Sequence, residues 1–282
     1  MIPDLVSTPI SITQPSPTFL GEAFGTASLE PTATALPIPV LPTPAPLPLP
    51  LVPSATPQLS PALSSSVIQI LTPGPMSRVL SPIAIHAYVI PGYGNKVRVE
   101  LYGEDGQLVY RKILSVYTDV FKWAYLSLDI SFSTRAAAEL GRLQISTEDA
   151  AGNVIALGAT HLLLMKDGYE EITPSGITSE RCVFNTPAES ATIVGGILAV
   201  SGTYYPFNTQ PLILELVGED GSILGSQWME VPANSASPSF NFNADMTYSV
   251  SALTPAYLVA RQFDQRINGL MYLFSQPVIL LP

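Results

Sequence analysis

Apolar and polar residues alternate with a period of two over much of the chain after residue 66, which is typical of half-buried β-strands. The alternation is clear in residues 83–90 and in residues 239–243, where it places Phe240 and Phe242 on one face. Turn residues interrupt the apolar runs every 8 to 15 positions. This spacing predicts about seven short strands per unit, packed as a β-sandwich. Only residues 134–140 have helical character, and they predict one short helical turn crossing between sheets.

One pattern occurs twice. Residues 97–110 are VRVELYGEDGQLVY, and residues 212–225, which begin 115 positions later, are LILELVGEDGSILG. Each copy predicts a strand, a tight turn at Asp-Gly and a second strand. Glycine is favoured in such turns because it adopts a positive φ without steric cost. The sequence therefore predicts an internal duplication of one small β unit.

These patterns divide the chain into four segments. Residues 1–66 contain 15 of the 28 prolines and no Lys or Arg, which predicts a disordered Pro/Ser/Thr-rich spacer with polyproline II character. A ligand segment for a proline-binding groove is the alternative interpretation. Residues 67–166 and 181–282 are the two predicted sandwiches, and the polar residues 167–180 are the predicted linker.

Composition excludes several partners. A net charge of −10 argues against a nucleic-acid ligand and against adsorption to anionic lipid. The apolar tract 35–52 has a proline every two to three residues, so we predict no direct membrane span in this chain. The first residues lack the features of a signal peptide, so a removed signal, a start upstream of Met1 and a cytoplasmic location all remain open.

The order of features within each unit is specific enough to compare with a known family. Each unit has Thr-Pro, a strand that carries Ser201-Gly202-Thr203 in the second copy, an aromatic-Pro bend, the Glu-Asp-Gly turn, an aromatic strand and a Gly/Asn turn before the last strand. This order resembles the immunoglobulin-like domain of bacterial spore-germination and related envelope proteins. The first copy departs from it at His86-Ala87, where the second has Ser201-Gly202. The resemblance implies two tandem immunoglobulin-like β-sandwiches, which occur as accessory modules of secreted or membrane-anchored proteins and have no assigned catalytic residues.

Candidate chemistry is sparse. The acidic turns at 104–106 and 219–221, with Glu100 and Glu215 nearby, suggest a calcium ion, but Ca²⁺ needs six to eight oxygens and one turn offers too few. The histidines and the single cysteine lack partners at ligand or catalytic spacing, and Cys182 is interpreted as a small, partly buried hydrophobe. No catalytic or cofactor-binding motif is present. We therefore predict no catalytic residue, no metal site and no cofactor.

Exposed aromatic residues at the strand bends are the remaining candidates, and they form a possible ligand ledge of Tyr93, Tyr204, Tyr205 and Phe207. The expected function is that of a non-enzymatic extracellular or cell-envelope protein, serving display, adhesion or protein binding. Its partner would be a protein or a cell-wall glycan. The alternatives are a carbohydrate-binding module that uses the ledge, and an enzyme, which would require a deep cleft with converging acids or histidines.

Overall fold

The structure is a computed structural model that describes residues 65–119, 122–232 and 238–282. These residues form sixteen strands and a single 3₁₀ turn, Tyr93–Asn95, with no α-helix among them. For these residues the prediction of an all-β fold is confirmed. Nearly all of the predicted spacer lies outside the described residues. The strands belong to one compact unit of the chain, residues 58–282.

The first half contains eight strands. The strand that was predicted from its alternation, Ile83–Val89, buries every second side chain. The strands of this half are β1 (Ile68–Thr72), β2 (Ser77–Val79), β3 (Ile83–Val89), β4 (Lys96–Tyr102), β5 (Leu108–Ser115), β6 (Ala124–Ile130), β7 (Ala138–Glu148) and β8 (Val154–Met165).

The second half repeats this order strand for strand, so the predicted duplication is visible in the pairing of the strands. In both halves the first, third and sixth strands form a three-stranded sheet, and the fourth and fifth form the Asp-Gly hairpin. The strands of this half are β9 (Cys182–Thr186), β10 (Thr192–Ile193), β11 (Ile197–Tyr204), β12 (Leu212–Gly218), β13 (Ile223–Met229), β14 (Phe240–Thr247), β15 (Thr254–Phe263) and β16 (Leu270–Leu280).

The two halves share a sheet. Its main path runs β13-β12-β15-β16-β8-β7-β4-β5, with β2 and β10 paired beside it. The last strands of the two halves, β8 and β16, pair antiparallel at its centre, where Leu157 lies opposite Leu273. From either end of this path, the strands are therefore the fifth, fourth, seventh and eighth of their half. Each Asp-Gly hairpin also lies beside the last turn of the other half, Gly106 near Asn268 and Gly221 near Asn153.

Each half nevertheless has its own buried interior. In the first, Ile85 and Ala87 of the three-stranded sheet pack in one cluster with Val99 and Ile145 of the shared sheet. The second cluster contains the corresponding positions, such as Val200 and Leu214. A third, smaller cluster at the junction joins Leu157 and Ala159 of β8 to strands β15 and β16. The architecture is β-sandwich-like in each half, with apolar packing across the joint.

The helical turn predicted for residues 134–140 is wrong. Residues 135–137 form a bend, and β7 begins at Ala138, which pairs with Met165 of β8. Gly141 lies so close to Leu164 that an added Cβ would be 2.7 Å from that side chain. Pairing with a long neighbouring strand outweighs the helical preference of a short Ala-rich run.

Candidate functional site

A groove of about 580 Å³ lies where the two halves meet. Strands β8 and β16 line it together with β1, and its other walls are residues 73–76, 176–181, 206–209 and 264–266. The groove therefore exists only because the halves share a sheet. It brings together residues that are more than 100 positions apart in the sequence.

Two polar lining residues, His161 and Asp264, lie within hydrogen-bonding distance, with Nε2 and Oδ2 2.8 Å apart. Arg142, which lies opposite His161 in the β7–β8 ladder, donates from Nη1 to the same carboxylate oxygen at 3.0 Å. Asp264 directly follows β15, so the second half supplies the carboxylate and the first half supplies both partners.

Arg142 enters the turn that follows β15. Its guanidinium donates to the carbonyl oxygens of Ile267 at 2.8 Å and Asn268 at 3.2 Å, and it lies over the ring of Tyr102 with Cζ 5.0 Å from the centroid. An added Cβ at Gly269 would lie 3.1 Å from Cζ of Arg142, so only glycine leaves room for the guanidinium. Arg142 is 1% exposed. The guanidinium of the first half is therefore buried against a turn of the second half.

The environment of Asp264 favours its charged form. Burial alone would raise the pKa of this carboxyl, but the hydrogen bonds from the Arg266 backbone, His161 and Arg142 outweigh burial and lower it. In catalysis by an activated nucleophile, the histidine also contacts a Ser, Thr or Cys side chain. In the described part of the chain no Ser, Thr or Cys side chain is bonded to the His161 ring. The cluster joins side chains of both halves.

A second polar cluster in the same groove is centred on Glu180. Its carboxylate accepts hydrogen bonds from the Tyr272 hydroxyl, from the Arg181 backbone at 3.0 Å and from the Val67 backbone at 3.3 Å. The Tyr272 hydroxyl in turn accepts from the Cys182 backbone at 3.0 Å. Burial raises the pKa of the Cys182 thiol well above its ordinary value, which disfavours the nucleophilic thiolate.

We expect the stability of the protein to depend on pH through Glu180. Burial raises the pKa of this carboxyl, although its hydrogen bonds oppose the shift, so the folded state holds the proton to higher pH than the unfolded state. The free energy of unfolding therefore loses a contribution as pH rises from the unfolded pKa through the raised folded pKa. Replacing Glu180 by Gln removes this loss. Urea unfolding at about pH 4 and about pH 8 should show the variant gaining stability relative to the wild type at the higher pH.

The same substitution at the exposed Glu189 corrects for the general effect of removing one negative charge. A difference between Glu180→Gln and wild type that is equal at both pH values, or that favours the wild type as pH rises, would contradict the expectation.

The predicted ligand ledge is not one surface. Tyr204 is 0% exposed and its hydroxyl donates to Gln262 at 2.8 Å, so including this residue was wrong. Phe207 lines the groove beneath Arg181, whose Cζ is 3.4 Å from the ring centroid, and Tyr205 is half-buried beside it. Tyr93 is 68% exposed but belongs to the 3₁₀ turn of the first half. Of the three remaining ring residues, Phe207 alone lines the groove, and Tyr93 lies in the other half.

The acidic turns use their carboxylates locally. Asp105 accepts from the Gln107 backbone at 2.9 Å, and that hydrogen bond is the main reason that its pKa is lowered. Glu100 is buried and paired with Arg111 at 2.6 Å. Within residues 65–119, 122–232 and 238–282 no three His, Cys, Asp or Glu side chains are grouped as metal ligands. No helix of these residues has the length and apolarity needed to cross a bilayer.

No protein-family model and no curated protein sequence matches this chain. Among solved structures it is similar to red sea bream transglutaminase, with 12% identity and a TM-score of 0.29 over 78% of this chain and 31% of that one. It is also similar to the exo-chitosanase CsxA of Amycolatopsis orientalis, with 12% identity and a TM-score of 0.26 over 76% and 26% of the two chains. For latent PorU of Porphyromonas gingivalis the identity is 9% and the TM-score 0.24, over 77% and 24%. This chain thus spans about a third or less of each, and likenesses this weak assign neither family nor activity.

Proposed function

We propose that this chain is a non-enzymatic extracellular or cell-envelope protein that holds two immunoglobulin-like β-sandwiches in a fixed relation for display, adhesion or partner binding. The Thr-Pro and Glu-Asp-Gly features of both copies, with Ser201-Gly202-Thr203 of the second, support the assignment to the immunoglobulin-like domain of spore-germination and related envelope proteins. The cellular location is proposed by analogy with the proteins in which such domains occur. The predicted spacer, residues 1–66, would hold the pair away from its attachment point.

The observation that carries the proposal is the sheet that continues from one half into the other. Tandem modules joined only by a flexible linker reorient freely, whereas here backbone hydrogen bonds between β8 and β16 continue one sheet through both halves. Arg142 is buried in the other half's turn, and Asn153 donates from Nδ2 to the Glu219 carbonyl at 2.9 Å across the joint. A surface that extends over both halves therefore keeps its shape, which lowers the ordering cost of binding.

Distance measurements between spin labels test this rigidity. Asp129 and Asp245 occupy equivalent exposed positions, opposite Ala84 in one half and Ala199 in the other. With both replaced by labelled cysteine and the buried Cys182 left unlabelled, we expect one narrow distance distribution.

The control is a pair of labels within the first half, at Asp129 and Glu104, which reports the width due to the labels alone. A distribution between the halves that is much broader than this control, or that has several maxima, would contradict rigid display.

Cell fractionation tests the proposed location separately. An antibody against the purified chain should detect the protein in the envelope or medium of the cells that produce it. Recovery with the cytoplasmic proteins alone would overturn the proposed location without affecting the joint.

A further inference from the structure

The outward face of the three-stranded sheet β1-β3-β6 carries a cluster of rings. His86 and Tyr88 of β3 and Tyr125 of β6 point away from the interior, because their neighbours Ile85, Ala87 and Leu126 are buried. Tyr88 is 42% exposed and Tyr125 is 55% exposed. None of the three rings belongs to the groove.

Contacts among the rings fix their orientation. Tyr88 and Tyr125 are opposite each other in the β3–β6 ladder, with ring centroids 5.4 Å apart and ring planes tilted by 56°. The rings of His86 and Tyr125 are nearly parallel, with an interplanar angle of 8° and centroids 5.9 Å apart. The Tyr125 hydroxyl and His86 Nδ1 lie 2.8 Å apart, within hydrogen-bonding distance. A ligand would therefore meet rings that are already positioned.

The other half shows that the fold does not require these rings. In the same register of the second sheet, Ser201 takes the place of His86, Thr203 that of Tyr88 and Asn241 that of Tyr125. The Ala-Asp pair at the other end of these strands is kept, as Ala84 opposite Asp129 and as Ala199 opposite Asp245. The copies thus share their interior pattern and differ on this exposed face. The difference at His86 is also where the first copy departs from the sequence pattern of the second.

We propose that the face formed by His86, Tyr88 and Tyr125 binds a neutral polysaccharide, with the apolar side of a pyranose ring lying on one of the two tyrosine rings. The inference rests on the proposed function as an extracellular binding module and names its partner. Strands β1, β3 and β6 contain no Lys or Arg, so the face lacks the cations that would attract phosphate or anionic lipid. A ligand without charge, presenting both C–H and O–H groups, matches this chemistry.

The polar residues of the same face complement sugar hydroxyls. Asp129 accepts hydrogen bonds through its carboxylate, and Ser127 and Gln69 provide a hydroxyl and an amide. Gln69 lies opposite Tyr88 in the β1–β3 ladder, and Ser127 lies opposite His86 in the β3–β6 ladder. Rings and polar groups therefore lie side by side on three adjacent strands. Flat aromatic surfaces fix position, and neighbouring polar groups fix orientation.

The test uses the full chain and defined polysaccharides. Retention is measured on insoluble cellulose and chitin. Mobility is measured by affinity electrophoresis in gels that contain xyloglucan or galactomannan. The main variant combines His86→Ser, Tyr88→Thr and Tyr125→Asn, which gives the first sheet the residues that the second sheet has in the same register. We expect the wild type to bind at least one polysaccharide and the triple variant to bind it at least about tenfold more weakly.

Trp228→Ala is the matched control, because Trp228 is exposed on the edge strand β13 and belongs to the other half. A thermal unfolding curve close to that of the wild type shows that the triple variant is folded. If the wild type binds none of the four polysaccharides, the inference is overturned. It is equally overturned if the triple variant binds as the wild type does, or if Trp228→Ala loses as much binding. The spin-label distances do not depend on a glycan, so rigid display and glycan binding fail separately.

Discussion

Replacing Arg142 by Ala is expected to lower the free energy of unfolding by roughly 3–5 kcal/mol, the usual cost of removing one partner of a buried ion pair. The substitution leaves the Asp264 carboxylate with His161 as its remaining side-chain partner. It also removes the donor to the Ile267 and Asn268 carbonyl oxygens in the turn of the second half. Chemical denaturation followed by circular dichroism measures the loss.

The control is Arg135→Ala, which removes an ion pair with Asp105 that is exposed to solvent and should change stability little. Combining Arg142→Ala with Asp264→Ala separates the pair from its surroundings, and this double variant should lose less than the sum of the two single variants. If Arg142→Ala has as small an effect as Arg135→Ala, the buried arginine does not hold the halves together.

Local sequence patterns predicted the strands and hairpins well, because they depend on neighbours in the chain. The Asp-Gly turns contain Gly106 at φ 76° and Gly221 at φ 79°, the positive values that glycine accommodates. Phe240 and Phe242 lie on the same face of β14, and both pack with the interior of the second half. Alternating burial and turn residues are therefore enough to predict these elements without any long-range contact.

The shared sheet could not be predicted in the same way. Pairing of β8 with β16 uses backbone donors and acceptors that every residue carries, so the side chains give little signal for it. In β8 the residues toward Met165 are apolar on both faces, which indicates a buried strand but not which strand lies beside it. The helical preference of residues 134–140 failed for the same reason, since the neighbouring strand decided their conformation.

The groove could not be predicted from the sequence, but the burial of Tyr204 could. Asp264 and His161 are 103 positions apart, and only the joint brings them together. Tyr204, in contrast, follows Leu198, Val200 and Gly202 at intervals of two, and all of them face the interior. Extending that alternation by one residue would have placed Tyr204 in the core rather than on a ledge. The strand period, and not the position beside a bend, decides the burial of Tyr204.

A second large effect is expected from Gly202→Ala, which should lower the free energy of unfolding by about 1–3 kcal/mol through overpacking. An added Cβ at Gly202 would lie 2.6 Å from Cζ of Phe242, which is its partner across the β11–β14 ladder, and would overlap the Val183 carbonyl oxygen. In the first half the same cross-strand pair is Ala87 with Leu126. Each half therefore fills the same space, one with glycine and an aromatic ring, the other with alanine and a smaller side chain.

Because the two pairs are alternatives, Phe242→Leu should restore part of the stability that Gly202→Ala removes. Restoration is expected to be partial, since the backbone of Val183 remains close to the new methyl group. The measurement is a double-mutant cycle from urea unfolding, and the predicted sign is a favourable interaction between the two substitutions. Ala199→Ser, on the exposed face of the same strand, is the control and should stay within about 0.5 kcal/mol of the wild type. Strictly additive losses would mean that the clash with Val183 alone sets the loss of stability. They would also mean that Gly202 is not needed to accommodate the ring of Phe242.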